Sequence, residues 1–250
     1  MPRVEPFVEH VISVRDLRNS LSKSELAALA VASFSDSEVY ALLKLVSFST
    51  RDLTGDYVLD ANSFIQQTVL LRGLTLRLFE FLKFIQTCTR QNGIVGEAAK
   101  QTLEEFDDLK SCKAYELVQC IRDKVAAHCS LDDAKKSLKH VSDSADATTL
   151  LSSNRWNSAY MLGEEAIFFA QVNAVASGSL SKSELLSEWH EWCLKAANCL
   201  TFFHMRLRNS LLKDLETAEN VARKVVVLDD ADVAKVGETK LPLFISEEPQ

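Results

Sequence analysis

Between Pro6 and Pro242 the chain contains no proline. Proline fixes its own φ and removes a backbone donor, so it interrupts helices and marks turns; a long interval without it leaves helices free to run. Only seven glycines occur in 250 residues, so the positive-φ positions on which tight hairpins depend are scarce as well. An all-α fold is the economical solution. With 47% hydrophobic and 25% charged residues, the chain can bury one sizeable core. The expected organisation is a single helical domain over residues 1–220, with its core at about 35–217, followed by a tail over 221–250.

Helix starts are written into the sequence. The heptapeptide SLSKSEL occurs at Ser20–Leu26 and again at Ser179–Leu185, and each copy holds a capping box, Ser22 with Glu25 and Ser181 with Glu184. Ser35 with Glu38 predicts a third start before VYALLKLV. The strongest pattern runs from Asp60 to Asn92, where Phe64, Leu71, Leu74, Leu78, Phe81 and Ile85 recur every three or four residues and Gly93 supplies a stop. Further helices are predicted at 97–108, 112–128, 131–140, 158–177 and 182–217, the last with an apolar face of Trp189, Trp192, Leu200 and Phe203. Residues 140–158 are rich in Ser, Asp and Thr and read as a mobile connection or short helix. A short strand at Val225–Leu228 is the one regular feature expected in the tail.

Charge and cysteine usage narrow the function. The net charge of −7 argues against a general nucleic-acid coat, but residues 109–140 hold seven cationic side chains against four acidic ones, leaving that segment at +3 and the rest at −10. The six cysteines show no C-x-x-C spacing, and MPRVEPFVEH lacks the apolar run of a signal peptide, so a reducing, cytoplasmic setting is expected. The apolar region Phe64–Ile85 is broken by Arg72, Arg77, Glu80 and Lys83, which speaks against a membrane span there.

Most catalytic patterns fail on residue type. There is no Glu-x-x-His pair for a di-iron bundle, no H-E-x-x-H, no Gly-x-Ser-x-Gly and no Gly-rich phosphate loop. His204, among Phe202, Phe203 and Met205, reads as a satisfied core or interface histidine; His10 and His140 read as surface residues, and Cys129 as a small buried side chain.

One motif is left. In IRDKVAAHC, Arg122-Asp123 is followed by His128 after four residues, and the motif comes after the apolar run YELVQCI. It resembles the signature of the HEPN superfamily, an Arg and a polar residue followed after four to six residues by a His, found in all-α proteins that include metal-independent ribonucleases of toxin and phage-defence systems. The long helix containing QQTVLLRGLTLRLFEFLKFI is similar to the one packed beside the motif in abortive-infection HEPN proteins. The resemblance implies a helical bundle around a long antiparallel helix pair and a homodimer with a composite active site. It also implies an RNA substrate, no cofactor, no metal, and an antitoxin or nucleotidyltransferase as possible partner. Ser130 stands where silenced toxins of this type carry a tyrosine, so control by nucleotide addition at that position does not carry over.

The chemistry can be argued from the residues. Cleaving RNA without metal requires a base for the 2′-hydroxyl, an acid for the leaving oxygen, and a cation for charge building on phosphorus. His128 titrates near neutrality and suits acid or base; Arg122 suits the anion, and Asp123 can orient either. Six residues along an α-helix part Arg122 from His128 by about 9 Å in rise and roughly 120° in azimuth, so two copies meeting across a two-fold axis would complete the site. Lys124, Lys135 and Lys136 are candidate RNA contacts, and Arg77 and Glu80 on the long helix are candidate supports. The alternative is a non-catalytic, dimeric all-α interaction or scaffold module, with Arg122-Asp123-Lys124 a solvated helix face and His128 a cation near a helix C-terminus.

Overall fold

Three long helices carry the chain in the computed structural model, which describes residues 7–50, 54–126, 131–153, 158–175, 181–217 and 222–226. Strand β1 (Phe7–Val11) and helix α1 (Val14–Ser20) lead into α2 (Lys23–Ser49). At the head of α2 the Ser22 hydroxyl accepts the Glu25 N–H at 3.3 Å and the Glu25 carboxylate accepts the Ser22 N–H at 2.9 Å, closing the expected box. The start expected at Ser35 and Glu38 does not occur. Both residues lie inside α2, because no proline or glycine interrupts the helix before them.

Helix α3 (Tyr57–Cys88) is capped by Asp56, whose carboxylate accepts the N–H groups of Val58 and Leu59. It stops at Cys88 rather than Asn92, and Gly93, at φ 69°, precedes α4 (Ile94–Lys110) instead of terminating α3. Helix α5 (Lys113–Cys120) runs into a π-helical turn at Ile121–Ala126, so the single α-helix expected over 112–128 is divided. Helix α6 (Leu131–Ser137) and a 3₁₀ turn (Leu138–His140) follow.

The polar stretch after His140 is neither a helix nor an irregular connection throughout. Strand β2 (Thr149–Leu150) pairs antiparallel with β3 (Ala159–Tyr160), and Asp146 fastens this hairpin by accepting the Tyr57 hydroxyl and the Thr148 N–H. The helix expected at 158–177 is split into α7 (Met161–Gly163), a second π-helical turn (Glu164–Phe169) and α8 (Ala170–Val175). Helix α9 (Lys182–Leu211) opens on its expected box, with Ser181 N–H to Glu184 at 2.8 Å and Glu184 N–H to Ser181 at 3.3 Å. Helix α10 (Lys213–Thr217) and β4 (Ala222–Val226) complete the described chain. Strand β4 begins earlier than the expected Val225 and pairs antiparallel with β1, from Phe7 opposite Val226 to Val11 opposite Ala222. Residues 227–250 lie outside the described residues.

The fold is therefore all-α apart from these two small ribbons. Helix α3 packs against α2, α4, α9 and the first π turn, and Leu71, Leu74, Leu78, Phe81 and Ile85 of the predicted stripe are buried. The apolar face foreseen on α9 is buried as well: Trp189, Trp192, Leu200 and Phe203. The Trp189 indole donates to the Thr75 hydroxyl at 2.9 Å, and that hydroxyl donates to the Leu71 carbonyl at 2.8 Å, so the central polar atoms are satisfied. His204 meets Asp36 through Nδ1 and Oδ2 at 2.7 Å, joining α9 to α2. His140 is exposed, whereas His10 is half-buried, and its Nδ1 is buried without a hydrogen-bond partner among the described residues.

The most apolar long helix is α2, not the region at Phe64–Ile85. By length and composition α2 is able to cross a membrane, with a mean hydropathy of 1.4 over its most apolar window, of which 28% is buried. In the fold it packs against α3 and α9 through Ala28, Leu29, Ala32, Val39 and Val46.

An ion pair ties α3 to the second π turn. Arg72 donates from both terminal nitrogens to Glu164, at 3.0 and 2.9 Å, with side chains 18% and 12% exposed, while its guanidinium lies 5.5 Å from the centre of the Phe168 ring. Removing one member leaves the other charged and poorly hydrated. Arg72→Ala is expected to lower unfolding free energy by about 3 kcal/mol, and Arg72→Met with Glu164→Leu by much less. Urea denaturation of the two variants checks this; equal losses would mean that the pair itself, rather than the stranded charge, carries the effect.

Candidate functional site

Arg122 and Asp123 lie in the first π-helical turn, directly after the apolar helix α5. A π turn widens the helix by one residue per hydrogen-bonded ring, and such turns occur frequently at functional sites. It also changes the geometry expected from sequence: the α-helical azimuth of roughly 120° between Arg122 and His128 does not apply across Ile121–Ala126. His128 itself, with Cys129 and Ser130, lies outside the described residues, as does the Lys124 side chain.

The Arg122 guanidinium is held on two sides. Its Nε donates to Asp123 Oδ1 at 2.5 Å, and its plane sits 4.3 Å from the centre of the Phe79 ring. The Asp123 hydrogen bond holds the guanidinium above its ordinary pKa, so the cation is secured at any accessible pH. Phe79 is in turn stacked on Trp192, 5.9 Å between centroids and 17° between planes, and tilted against Tyr115 at 6.1 Å. The cation thus rests on an aromatic floor built from α3, α5 and α9, an arrangement that favours arginine over lysine.

This floor lies beneath a cleft of about 470 Å³ whose rim includes Arg122, Asp123, Glu80, Lys83 and Gln86. Glu80, Lys83 and Gln86 fall at three-residue steps along α3, which places them on one helical face. With Nε engaged by Asp123, the two terminal amino groups of Arg122 have no hydrogen-bond partner among the described residues. The side chain is 31% exposed. A planar pair of N–H donors beside a cavity is suited to two oxygens of a phosphate or carboxylate. The rim is balanced in charge, Arg122 and Lys83 against Glu80 and Asp123, so attraction for an anion is local to the arginine.

The residues expected to act together are gathered only in part. Glu80 joins Arg122 and Asp123 at the cleft, whereas Arg77 turns to Glu80 at 2.5 Å and to Glu38 of α2 at 3.6 Å. Lys135 and Lys136, on α6, do not line this cleft; Lys135 is 65% exposed and pairs with Asp132 at 3.7 Å. Their spacing along a helix gave charge but no direction. Neither the motif nor the charge pattern singles out Phe79, Tyr115, Lys83 and Gln86, although 76, 79, 80, 83 and 86 form one stripe along α3.

Thiolate chemistry is disfavoured at Cys193 and Cys199. Burial pushes Cys193 up to about 12 and Cys199 up to about 11, and a thiol that stays protonated is a poor nucleophile. No protein-family model, no curated protein and no solved structure matches the chain.

Phe79→Leu, which keeps an apolar side chain but removes the π face under the guanidinium, is expected to cost about 1–2 kcal/mol in urea unfolding. In the Arg122→Ala background the same change is expected to cost measurably less. A double-mutant cycle with no coupling would mean that the cation and the ring do not interact.

Proposed function

We propose that the chain is a HEPN-like, metal-independent endoribonuclease of the toxin or phage-defence type. It acts in the cytoplasm as a homodimer, with the motif turns of two copies facing one phosphate. Arg122 binds the phosphoryl oxygens through its free edge, Asp123 orients the guanidinium, and His128 serves as base or acid at the 2′-hydroxyl or leaving oxygen. An antitoxin or nucleotidyltransferase partner belongs to the same proposal. The observation that carries it is the guanidinium fixed by Asp123 and Phe79, with its donor pair unspent at the edge of a cleft.

The all-α architecture and the packing of long α3 against the motif turn are compatible with this reading. A second reading, a non-catalytic dimeric interaction module, is favoured by the apolar outer side of α2, where Phe34 is 64% exposed and Leu45 49%. Single exposed side chains are ordinary, but two large ones on an already apolar helix invite a partner.

RNA cleavage in EDTA separates the two readings. His128→Ala and Arg122→Ala are each expected to lower the rate by about 10²–10⁴-fold while remaining folded, and Arg122→Lys to stay well below wild type because it keeps the charge without the fork. Cleavage that survives in both alanine variants sinks the assignment of these residues. A wild-type protein inert on total RNA would leave the interaction module standing.

A further inference from the structure

The cleft at Arg122 is longer than one phosphate. Its rim follows α3 from Leu76 to Gln86, about 15 Å of helical rise, and the Arg122 guanidinium occupies only the part over Phe79. One turn further along the same face stands Lys83, and Gln86 follows three residues later. Side chains four residues apart on a helix have Cβ atoms about 6 Å from each other. The ring that carries the Arg122 cation and the root of the Lys83 side chain are therefore neighbours.

Pairing divides the charges of the rim unevenly. Asp123 is bound to Arg122 Nε at 2.5 Å, and Glu80 is bound at 2.5 Å to Arg77, which does not line the cleft. Each carboxylate thus has a cation of its own. Lys83 is exposed and has no ion pair or hydrogen bond among the described residues. The formal balance of the rim therefore hides one uncompensated ammonium beside the open edge of the guanidinium.

The other large cleft on α3 shows the contrast. It has a volume of about 460 Å³ and lies between Ser63, Phe64 and Gln67 of α3 and Ser183, Leu186 and Ser187 of α9. There Ser63 and Gln67 are oriented by the end of α2, donating to the Ser49 carbonyl and the Thr50 hydroxyl. Its charges are engaged within the fold, Asp60 by Thr54 and Gly55, and Lys182 by Glu165. Only the Arg122 cleft offers two cations with donors to spare.

A lysine on a helix surface is ordinarily a solubiliser; what sets Lys83 apart is its place in a cleft that already holds an arginine. The two cations differ in kind. The planar fork of arginine fixes the oxygens of one phosphate, whereas an ammonium on a flexible stem is a point charge that follows an anion whose position varies. Successive phosphates of a single strand are joined by a flexible sugar and can meet two cations at this spacing, in the manner of a charged groove that tracks a backbone.

We propose that the Arg122 cleft takes two successive phosphates of one single-stranded RNA segment, the first on the guanidinium of Arg122 and the next on the ammonium of Lys83. This inference rests on the reading that Arg122 receives a phosphate of RNA, and it adds the requirement that the substrate present a second phosphate beside the first.

The test uses the full-length protein and 2′-deoxyuridine oligonucleotides, which lack the attacking hydroxyl and so bind without being cut. One probe is a dimer with a single internucleotide phosphate, the other a trimer with two, and neither is phosphorylated at its ends. NMR titration at low salt is expected to show the trimer bound about fivefold more tightly than the dimer. Arg122→Ala is expected to weaken both, and Lys83→Gln to bring the trimer down to the level of the dimer while leaving the dimer unchanged. With an eight-nucleotide probe, Lys83→Gln is expected to lower the slope of log affinity against log salt by about 0.7, the share of one phosphate on a single strand. Lys100→Gln, at an exposed lysine of α4 that does not line the cleft, is expected to leave that slope as it is. Circular dichroism establishes that each variant is folded, and Arg122→Gln replaces Arg122→Ala if the latter is not. Loss of binding in Arg122→Ala with no change in Lys83→Gln overturns the second contact and leaves the reading of Arg122 standing. Binding indifferent to Arg122→Ala, or none by wild type, overturns that reading and this inference with it. Equal effects of Lys83→Gln and Lys100→Gln mark a general influence of charge and overturn the inference alone.

Discussion

Everything else in this fold is arranged around the need to bury α3. The helix meets α2, α4, α9 and the first π turn, and its middle carries Leu71, Leu74 and Leu78 at almost zero exposure. On the core-facing side of such a helix no water reaches its centre, so a polar atom there must be paired by the fold itself. Thr75 does this, taking the Trp189 indole N–H while donating along its own helix. That linkage joins α9 to α3 in the register that also stacks Trp192 on Phe79. The ring under the Arg122 cation is thus continuous with the aromatic packing of the core.

The ends of α3 are treated differently from its middle. Towards both ends the packing opens into clefts, and in each a polar group is oriented by neighbours that lie on other elements. A rigid helix with features at two places is a good ruler, because its rise sets their separation with little freedom. The two π turns support this arrangement from outside: they touch one another, and the second is tied to α3 by the Arg72–Glu164 pair.

How far the sequence reveals this depends on the kind of signal. Capping boxes at Ser22 and Ser181 are local, and both appear where they were expected; the box at Ser35 has the same residues but is overridden, since a helix already under way needs no new start. The buried stripes of α3 and α9 follow from periodicity alone. The π turn at Ile121 could not be foreseen in that way, because a one-residue widening leaves the apolar pattern nearly intact. The β1–β4 and β2–β3 ribbons were hidden for another reason: each depends on pairing across the chain, and neither has a long alternating run. Of the site, Arg122, Asp123 and Glu80 were legible from motif and helix spacing, and Phe79 lies on the same α3 stripe as Glu80, whereas Tyr115 and the seating of Arg122 on the Phe79 ring depend on tertiary contacts that no local pattern carries. His128 lies outside the described residues.

The β1–β4 ribbon has an effect on the order in which the molecule is made. Phe7 is among the first described residues to leave the ribosome, and its partner Val226 is the last. During synthesis β1 must therefore wait with its backbone groups unpaired while every long helix emerges and packs. A two-stranded ribbon adds little stability by itself, so it closes as a final latch on helices that have already found one another. Closure of this ribbon, after α9 has emerged and packed, is the step that completes the described fold.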